Sequence, residues 1–253
     1  MMEEASVALV QRRYFAAERT AGDALRAALA AEDFVRAARI CMPLMEARRL
    51  KRQRAIDAER IEIVSEPIPE GTELKPGCYI VCPPRVGAEA RSIRQLADNA
   101  EVPVIAIARE PATRAGLCPV VAVGPVTVRA FVPEPPEANA KATKGKKQRS
   151  SPAPGPVVSG LFGVWAPPPI EWVLAACEAL GDAAIAQAVS PIAADRAAEL
   201  YARLQSCPDH EKLHQRLMEA CELASREPRR RKPVAPPPEE LDELGEGALS
   251  SED

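Results

Sequence analysis

The sequence is poor in the features that mark secreted and membrane-spanning proteins. It has no run of about 18 consecutive apolar residues, the length a bilayer-crossing helix needs. Its first residues, MMEEASVALVQRRYF, lack the basic start and apolar stretch of a signal peptide. Aromatic residues make up only 4% of the chain, and there are only two histidines. The sequence therefore predicts a cytoplasmic protein with no membrane partner.

The number and spacing of the cysteines do not indicate disulfide bonds. There are seven of them, an odd number, and they are scattered over predicted helices and strands instead of forming a spaced framework. We expect reduced thiols that are mostly buried. The seven positions are Cys41, Cys78, Cys82, Cys118, Cys177, Cys207 and Cys221.

What the chain does have is the composition of a globular protein with an excess of proline. Of its 253 residues, 47% are hydrophobic and 27% are charged, while 26 are prolines. The length allows one large domain or two modest ones, and the excess proline should lie mostly outside packed elements. A formal net charge of −3 gives no overall indication of nucleic-acid binding.

The N-terminal segment, residues 1–58, reads as a helical hairpin. Apolar residues recur at steps of three and four over residues 5–31, which predicts one amphipathic helix. A second helix should begin at Glu32-Asp33 and kink or restart at Pro43, which lacks an amide hydrogen. Its charged continuation, residues 45–60, is typical of a solvated helix end.

Residues 59–132 predict a small α/β domain. Short β-favouring runs at residues 61–64, 78–82 and 102–108 flank a helical pattern at residues 87–100, which indicates a βαβ unit. Two further runs at residues 119–123 and 126–132, separated by Gly124-Pro125, predict a hairpin at a sheet edge. The expected fold class is therefore mixed α+β or α/β.

The rest of the chain alternates between linker and helix. Residues 133–157 are basic and proline-rich, with almost no bulky apolar residue, which predicts a disordered linker. Residues 158–226 predict a separate small helical bundle, in which one helix ends at Gly181 and Asp182 caps the next. Residues 227–253 run from basic to proline-rich to acidic and predict a disordered tail.

The most specific motif is His210-Glu211-Lys212-Leu213-His214. On a helix, histidines four residues apart share one face and can chelate zinc, while the glutamate between them polarises a metal-bound water. These five residues resemble the zincin metalloprotease motif, which implies a zinc-dependent hydrolase with Glu211 as the catalytic group.

The surroundings of the motif favour a simpler interpretation. Asp209, Lys212, Gln215 and Arg216 flank it, so we expect a charged surface helix with exposed histidines. Replacing both histidines by alanine should then change stability by less than about 0.5 kcal/mol.

A structural metal site is a further alternative. Cys207, His210, His214 and Cys221 have the spacing C-x2-H-x3-H-x6-C. Cys221, however, lies about 10 Å beyond His214 along a helix. Core thiols with surface histidines are the favoured interpretation, and zinc is the one cofactor the sequence raises.

Two kinds of basic residue could bind anions. Arg85 and Arg109 follow predicted strands, where they could hold a phosphate or a carboxylate, although Pro83-Pro84 removes the amides of a phosphate-binding loop. Basic runs could also neutralise nucleic-acid phosphates, with solubilising tails as the simpler interpretation. The runs are Lys141, Lys144, Lys146, Lys147 and Arg149, then Arg226, Arg229, Arg230, Arg231 and Lys232.

These observations favour a non-enzymatic interaction or assembly protein, whose folded modules are tethered by flexible segments. The expected partner is another protein or a larger assembly. A zinc-dependent hydrolase and an accessory nucleic-acid-binding protein are the alternatives.

Overall fold

A computed structural model describes residues 2–69, 71–135, 158–160 and 163–227 of the chain. These residues form seven helices and seven strands. In chain order the elements are α1 Met2–Val10, α2 Tyr14–Ala30, α3 Phe34–Asp57, β1 Ile61–Val64, β2 Gly77–Val81, α4 Gly87–Asn99, β3 Val104–Arg109, β4 Leu117–Val123, β5 Thr127–Pro133, β6 Val158–Gly160, β7 Gly163–Trp165, α5 Ile170–Ala186, α6 Ala193–Ser206 and α7 Glu211–Arg226.

The central feature is a mixed five-stranded sheet of order β1-β2-β3-β4-β5. The first three strands are parallel, with Ile80 beside Ile107 across β2 and β3, and α4 connects these two strands. The last two are antiparallel and form the predicted edge hairpin. The mixed fold class and the βαβ unit are therefore confirmed. A separate two-stranded sheet pairs β6 with β7.

The predicted helix over residues 5–31 is wrong, because the chain breaks into α1 and α2. Arg12 adopts a left-handed backbone conformation with φ of 59°, and the amide of Arg13 donates to the carbonyl of Ala8 at 2.8 Å. A reversal at a residue other than glycine leaves no mark in the hydrophobic pattern. The turn lets α1 fold back and pack on α2 and α3.

The expected restart at Pro43 does not occur, since α3 runs unbroken through it. Ile40, Cys41 and Leu44, on both sides of the proline, are buried in the core. Burial of this continuous stripe stabilises the helix enough to offset the missing hydrogen bond.

Gly181 does not end a helix either, and Asp182 does not begin one, because both lie inside α5. Gly181 is buried there at the contact with His210, which explains why the chain carries glycine in a helix interior.

One hydrophobic core includes Leu25 and Ile40 from the N-terminal helices, Ile105 from the sheet, and Leu204 and Leu217 from the C-terminal helices. The core is therefore continuous across residues 1–58, 59–132 and 158–226, whose boundaries as domains stay a prediction. Most of the predicted linker and tail lies outside the described residues. Within the described part of the chain, no helix is both long and apolar enough to cross a bilayer.

Candidate functional site

Both histidines are buried, so the expected charged surface helix with exposed histidines is wrong. His210 is 3% exposed and His214 is 2% exposed. Helix α7 begins at Glu211, and His210 is its N-cap, where the ring Nδ1 accepts a hydrogen bond from the amide of Leu213 at 3.2 Å. His214 lies on the buried stripe of α7 together with Leu213 and Leu217. Lys212, Gln215 and Arg216 are exposed on the opposite face of α7, whereas Asp209 precedes the helix and is half-buried.

The His210 ring packs directly on the backbone of α5 at Gly181. A Cβ atom at Gly181 would lie 1.9 Å from Cγ of His210, a separation that no side chain could adopt. The other ring nitrogen, Nε2, lies 3.2 Å from Glu178 and 3.6 Å from Asp182, one turn apart on α5. His210 therefore fixes the start of α7 against α5.

His214 connects α7 to α3. Its Nδ1 lies 3.0 Å from the carbonyl oxygen of His210, and its Nε2 lies 3.4 Å from Nη1 of Arg48. Because arginine only donates and a carbonyl only accepts, Nδ1 carries the proton and Nε2 accepts. Burial, together with the adjacent Arg48, lowers the pKa of His214 to about 3. The ring is therefore neutral at neutral pH.

The residues of the proposed metal site do not converge. Cys207 lies at the end of α6, whereas Cys221 lies on the buried face of α7, two turns beyond His214. Nowhere in residues 2–69, 71–135 and 163–227 do three His, Cys, Asp or Glu side chains lie close enough together to hold a metal ion. The zinc-dependent hydrolase with Glu211 stays a prediction that no described contact supports.

All seven cysteines are free, and burial raises the pKa of each thiol. The pKa is about 12 for Cys41, Cys82, Cys207 and Cys221. These side chains are therefore protonated and weakly nucleophilic at neutral pH.

The two arginines predicted to bind an anion have different partners. Arg85 forms an ion pair with Glu89, in the first turn of α4. Arg109 is buried at the end of β3, with its guanidinium 5.5 Å from the centre of the Trp172 ring. Anion binding by this pair stays a prediction.

A network of charges lies where α2, α3 and α4 meet, and Asp98 is its one exposed member. Glu18 accepts hydrogen bonds from Arg48, at 2.8 Å, and from Lys51, which also contacts Asp98. Burial alone would raise the pKa of Glu18, but the two cations lower it to about 2. Residues 45–60 are thus not simply a solvated helix end. Arg48 continues the buried stripe of Leu44 at four-residue spacing, a signal that the sequence does carry.

This network forms one wall of a cleft of about 250 Å³ between α2, α3, α4 and the α6–α7 turn, which we call the charged cleft. Its lining residues are Glu18, Arg48, Lys51, Arg91, Arg94, Gln95, Asp98, Val104, Gly124, Pro125, Gln205, Pro208 and Asp209. The hydrophobic pattern of the sequence gives no sign of it, because the walls come from five separate segments: α2, α3, α4 with the start of β3, the β4–β5 turn, and the end of α6 with the α6–α7 turn.

Arg94 fixes the far side of the charged cleft. Its guanidinium donates to the carbonyl of Ser206 at 2.9 Å and to the carbonyl of Val123 at 3.0 Å. At the same place the Ser206 hydroxyl donates to the carbonyl of Val126 at 2.6 Å, and a Cβ at Gly124 would lie 2.5 Å from that hydroxyl. The β4–β5 turn and the end of α6 are therefore in close contact.

We expect Arg94→Leu to lower the free energy of unfolding by about 2–3 kcal/mol, because two carbonyls lose a charged donor. The matched control is Arg91→Leu, since Arg91 lies one turn earlier on α4, is exposed and makes no described hydrogen bond. It should change stability by less than about 0.5 kcal/mol. Urea unfolding followed by circular dichroism measures both. Equal effects would show that Arg94 does not hold the two segments together.

A second cavity, the α2–α3 groove, lies on the surface near the turn between these helices. It has a volume of about 700 Å³ and is lined by Ala24, Ala27, Ala28, Ala31, Asp33, Val35, Arg36, Arg39 and Ile40. Beside it, Val35 is 57% exposed and Met42 is 51% exposed, and both lie on α3 at a spacing of seven residues. These two side chains offer exposed apolar contacts on one face of α3.

Both basic runs lie outside the described residues, apart from Arg226 in the last turn of α7. Nucleic-acid binding through them stays a prediction. Comparison with known proteins gives no match, since no protein-family model, no curated protein and no solved structure is significantly similar to the chain.

Proposed function

We propose that this protein is a non-enzymatic interaction protein that binds a partner protein in the α2–α3 groove. The observation that supports this proposal is the groove itself, an open cavity of about 700 Å³ with small alanines on its floor. Alanine side chains leave room for a partner helix to approach two packed helices closely, and helices pack in such grooves through apolar anchors. Val35 supplies an exposed apolar contact at its edge.

The positive charge at the edge of the groove indicates an acidic partner. Arg36 and Arg39 border the groove, and no carboxylate among the described residues lies within ion-pair distance of Arg39. Arg36 forms an ion pair with Asp33 at 3.4 Å, but the pair is exposed and contributes little to stability. An acidic amphipathic helix would place its apolar face on the alanines and its carboxylates beside the two arginines. We therefore propose a partner helix of this chemistry.

The histidines and cysteines make packing contacts inside the protein, which supports a role without catalysis. His210 contacts α5 and His214 contacts Arg48, and six of the seven cysteines are buried. A cytoplasmic location is part of the proposal, supported by seven cysteines that form no disulfide, as is usual for proteins of a reducing compartment.

The test uses the full chain and a synthetic helical peptide with alanine and leucine on one face and glutamate at its other positions. We expect the wild type to bind this peptide saturably in a fluorescence anisotropy titration. The Val35→Glu variant should bind it about tenfold more weakly, a loss of about 1.4 kcal/mol in binding free energy. The matched control is Val189→Glu, because Val189 is also exposed but lies away from the groove. No binding by the wild type, or equal loss in both variants, would rule out the groove as the docking surface.

A further inference from the structure

We propose that the charged cleft is a binding site for a small acidic amino acid or a close analogue, a ligand with one ammonium and two acidic groups. This site is separate from the α2–α3 groove. The cleft is lined by Glu18 of α2 and Arg48 of α3, whereas the groove is lined by residues 24–31 and 33–40 of the same two helices. The first reason for the proposal is the charge that remains inside the cleft once its internal pairs are counted.

The lining includes four cations and three carboxylates. Arg48 pairs with Glu18, and Lys51 pairs with both Glu18 and Asp98. These contacts involve two of the cations and two of the carboxylates. The lining charges without an ion-pair partner among the described residues are those of Arg91, Arg94 and Asp209.

Asp209 is the unpartnered anion. No hydrogen-bond donor and no cation of the described residues contacts its carboxylate, although Arg52 contacts its backbone carbonyl at 3.5 Å. Burial raises the pKa of Asp209 even though Arg94 opposes the shift, in line with a carboxylate that lacks a close partner. A half-buried carboxylate in a cleft is costly unless a donor approaches it, and a ligand ammonium would supply three donors.

The two unpaired guanidiniums lie on one helix at neighbouring positions. Arg91 and Arg94 are three residues apart on α4, so their side chains project from the same face. Arg94 is already oriented by two carbonyls, which reduces the entropy lost on binding. Guanidiniums bind carboxylates through paired N–H groups, and two guanidiniums beside one carboxylate complement a ligand with two acidic groups and one ammonium.

The size of the cleft sets an upper limit on the ligand. Its volume of about 250 Å³ lies below the roughly 300–1,000 Å³ of pockets for drug-sized molecules. The side-chain amides of Gln95 and Gln205 offer further donors and acceptors at its edge. A molecule of amino-acid size with polar groups at both ends fits this space and these groups.

The experiment measures the melting temperature and the titration heat of the full chain with L-glutamate and L-aspartate. Glutarate and succinate are the matched ligands, because they keep both acidic groups and lack the ammonium. We expect one or both amino acids to raise the melting temperature, and the two diacids to leave it unchanged.

Two variants locate the binding. Asp209→Asn should weaken binding of the amino acid at least about tenfold, because it removes the charge that meets the ammonium. Arg91→Gln should also weaken binding, and because Arg91 is exposed this change should not affect folding. Asp57→Asn, an exposed change on α3 outside the cleft, should leave the affinity unchanged. The proposal is overturned if neither amino acid binds, if the diacids bind equally well, or if Asp209→Asn binds as tightly as the wild type.

Discussion

Gly181→Ala should lower the free energy of unfolding by at least about 3 kcal/mol, beyond the usual cost of overpacking a core. The added Cβ would lie 1.9 Å from Cγ and 2.1 Å from Cδ2 of His210. The ring cannot easily move away, because it caps α7 through Leu213 and faces Glu178 on its other side. Urea unfolding followed by circular dichroism measures the loss.

Gly22→Ala provides the matched control for this change. Gly22 also lies inside a helix, α2, but a Cβ there would meet no atom within 4 Å. It should stabilise the protein by about 0.5–1 kcal/mol, since alanine has the higher helix propensity.

A second variant separates the clash from an effect on the α5 backbone. Adding His210→Ala to Gly181→Ala removes the ring, so the double variant should be more stable than the sum of the two single losses predicts. Strict additivity would show that His210 does not require glycine at position 181.

The second large effect is a loss of stability on acidification, caused by His214. Its pKa is about 3 in the folded protein against an ordinary value of 6.5. The unfolded chain therefore binds a proton that the folded chain excludes, and the contribution of the neutral ring to stability is complete above pH 6.5. As pH falls from 6.5 toward 3, the contribution of His214 to the free energy of unfolding should decrease by about 1.4 kcal/mol per pH unit.

The groups that face His214 set the limits of this window. The pKa of His210 is also lowered, chiefly by burial, so its titration acts in the same direction. Glu18 has a folded pKa of about 2 against 4.5, so its contribution is lost only below pH 4.5. Burial raises the pKa of Asp209, so its titration acts in the opposite direction, and the effect of His214 is therefore measured as a difference between the wild type and a variant at that position.

The measurement is the free energy of unfolding in urea at a series of pH values, for the wild type and His214→Gln. Glutamine does not titrate, so the variant should have a slope shallower by about 1.4 kcal/mol per pH unit over this window. Parallel curves would contradict a buried neutral ring. The earlier expectation for alanine, a change below about 0.5 kcal/mol, no longer holds, because a buried side chain and its contact with Arg48 would be lost.

The sheet could be predicted from the sequence because its signals are local. In β5 buried and exposed residues alternate strictly, and β2 is buried throughout, as its apolar run predicts. Gly124-Pro125 marks the turn between the last two strands of the sheet. The helix bounds failed where tertiary contacts override local preference, at Arg12 with its positive φ and at Gly181 beneath the His210 ring.

The candidate site was less predictable, because its residues are brought together from distant segments. His214 and Arg48 are 166 positions apart, and Arg94 and Ser206 are 112 apart. Charged residues on an amphipathic helix usually face solvent, so nothing local indicates that Arg48 packs against a histidine. The buried stripe that continues from Leu44 to Arg48 is the only local sign.

The proposal that the α2–α3 groove binds an acidic helix is tested most directly by reversing its charge. The full chain with Arg36→Glu and Arg39→Glu should bind the glutamate peptide at least about tenfold more weakly than the wild type does. It should instead prefer the same peptide with lysine in place of every glutamate. A wild-type chain that binds both peptides equally, or a reversed variant that keeps the preference for the acidic peptide, would contradict the proposed function.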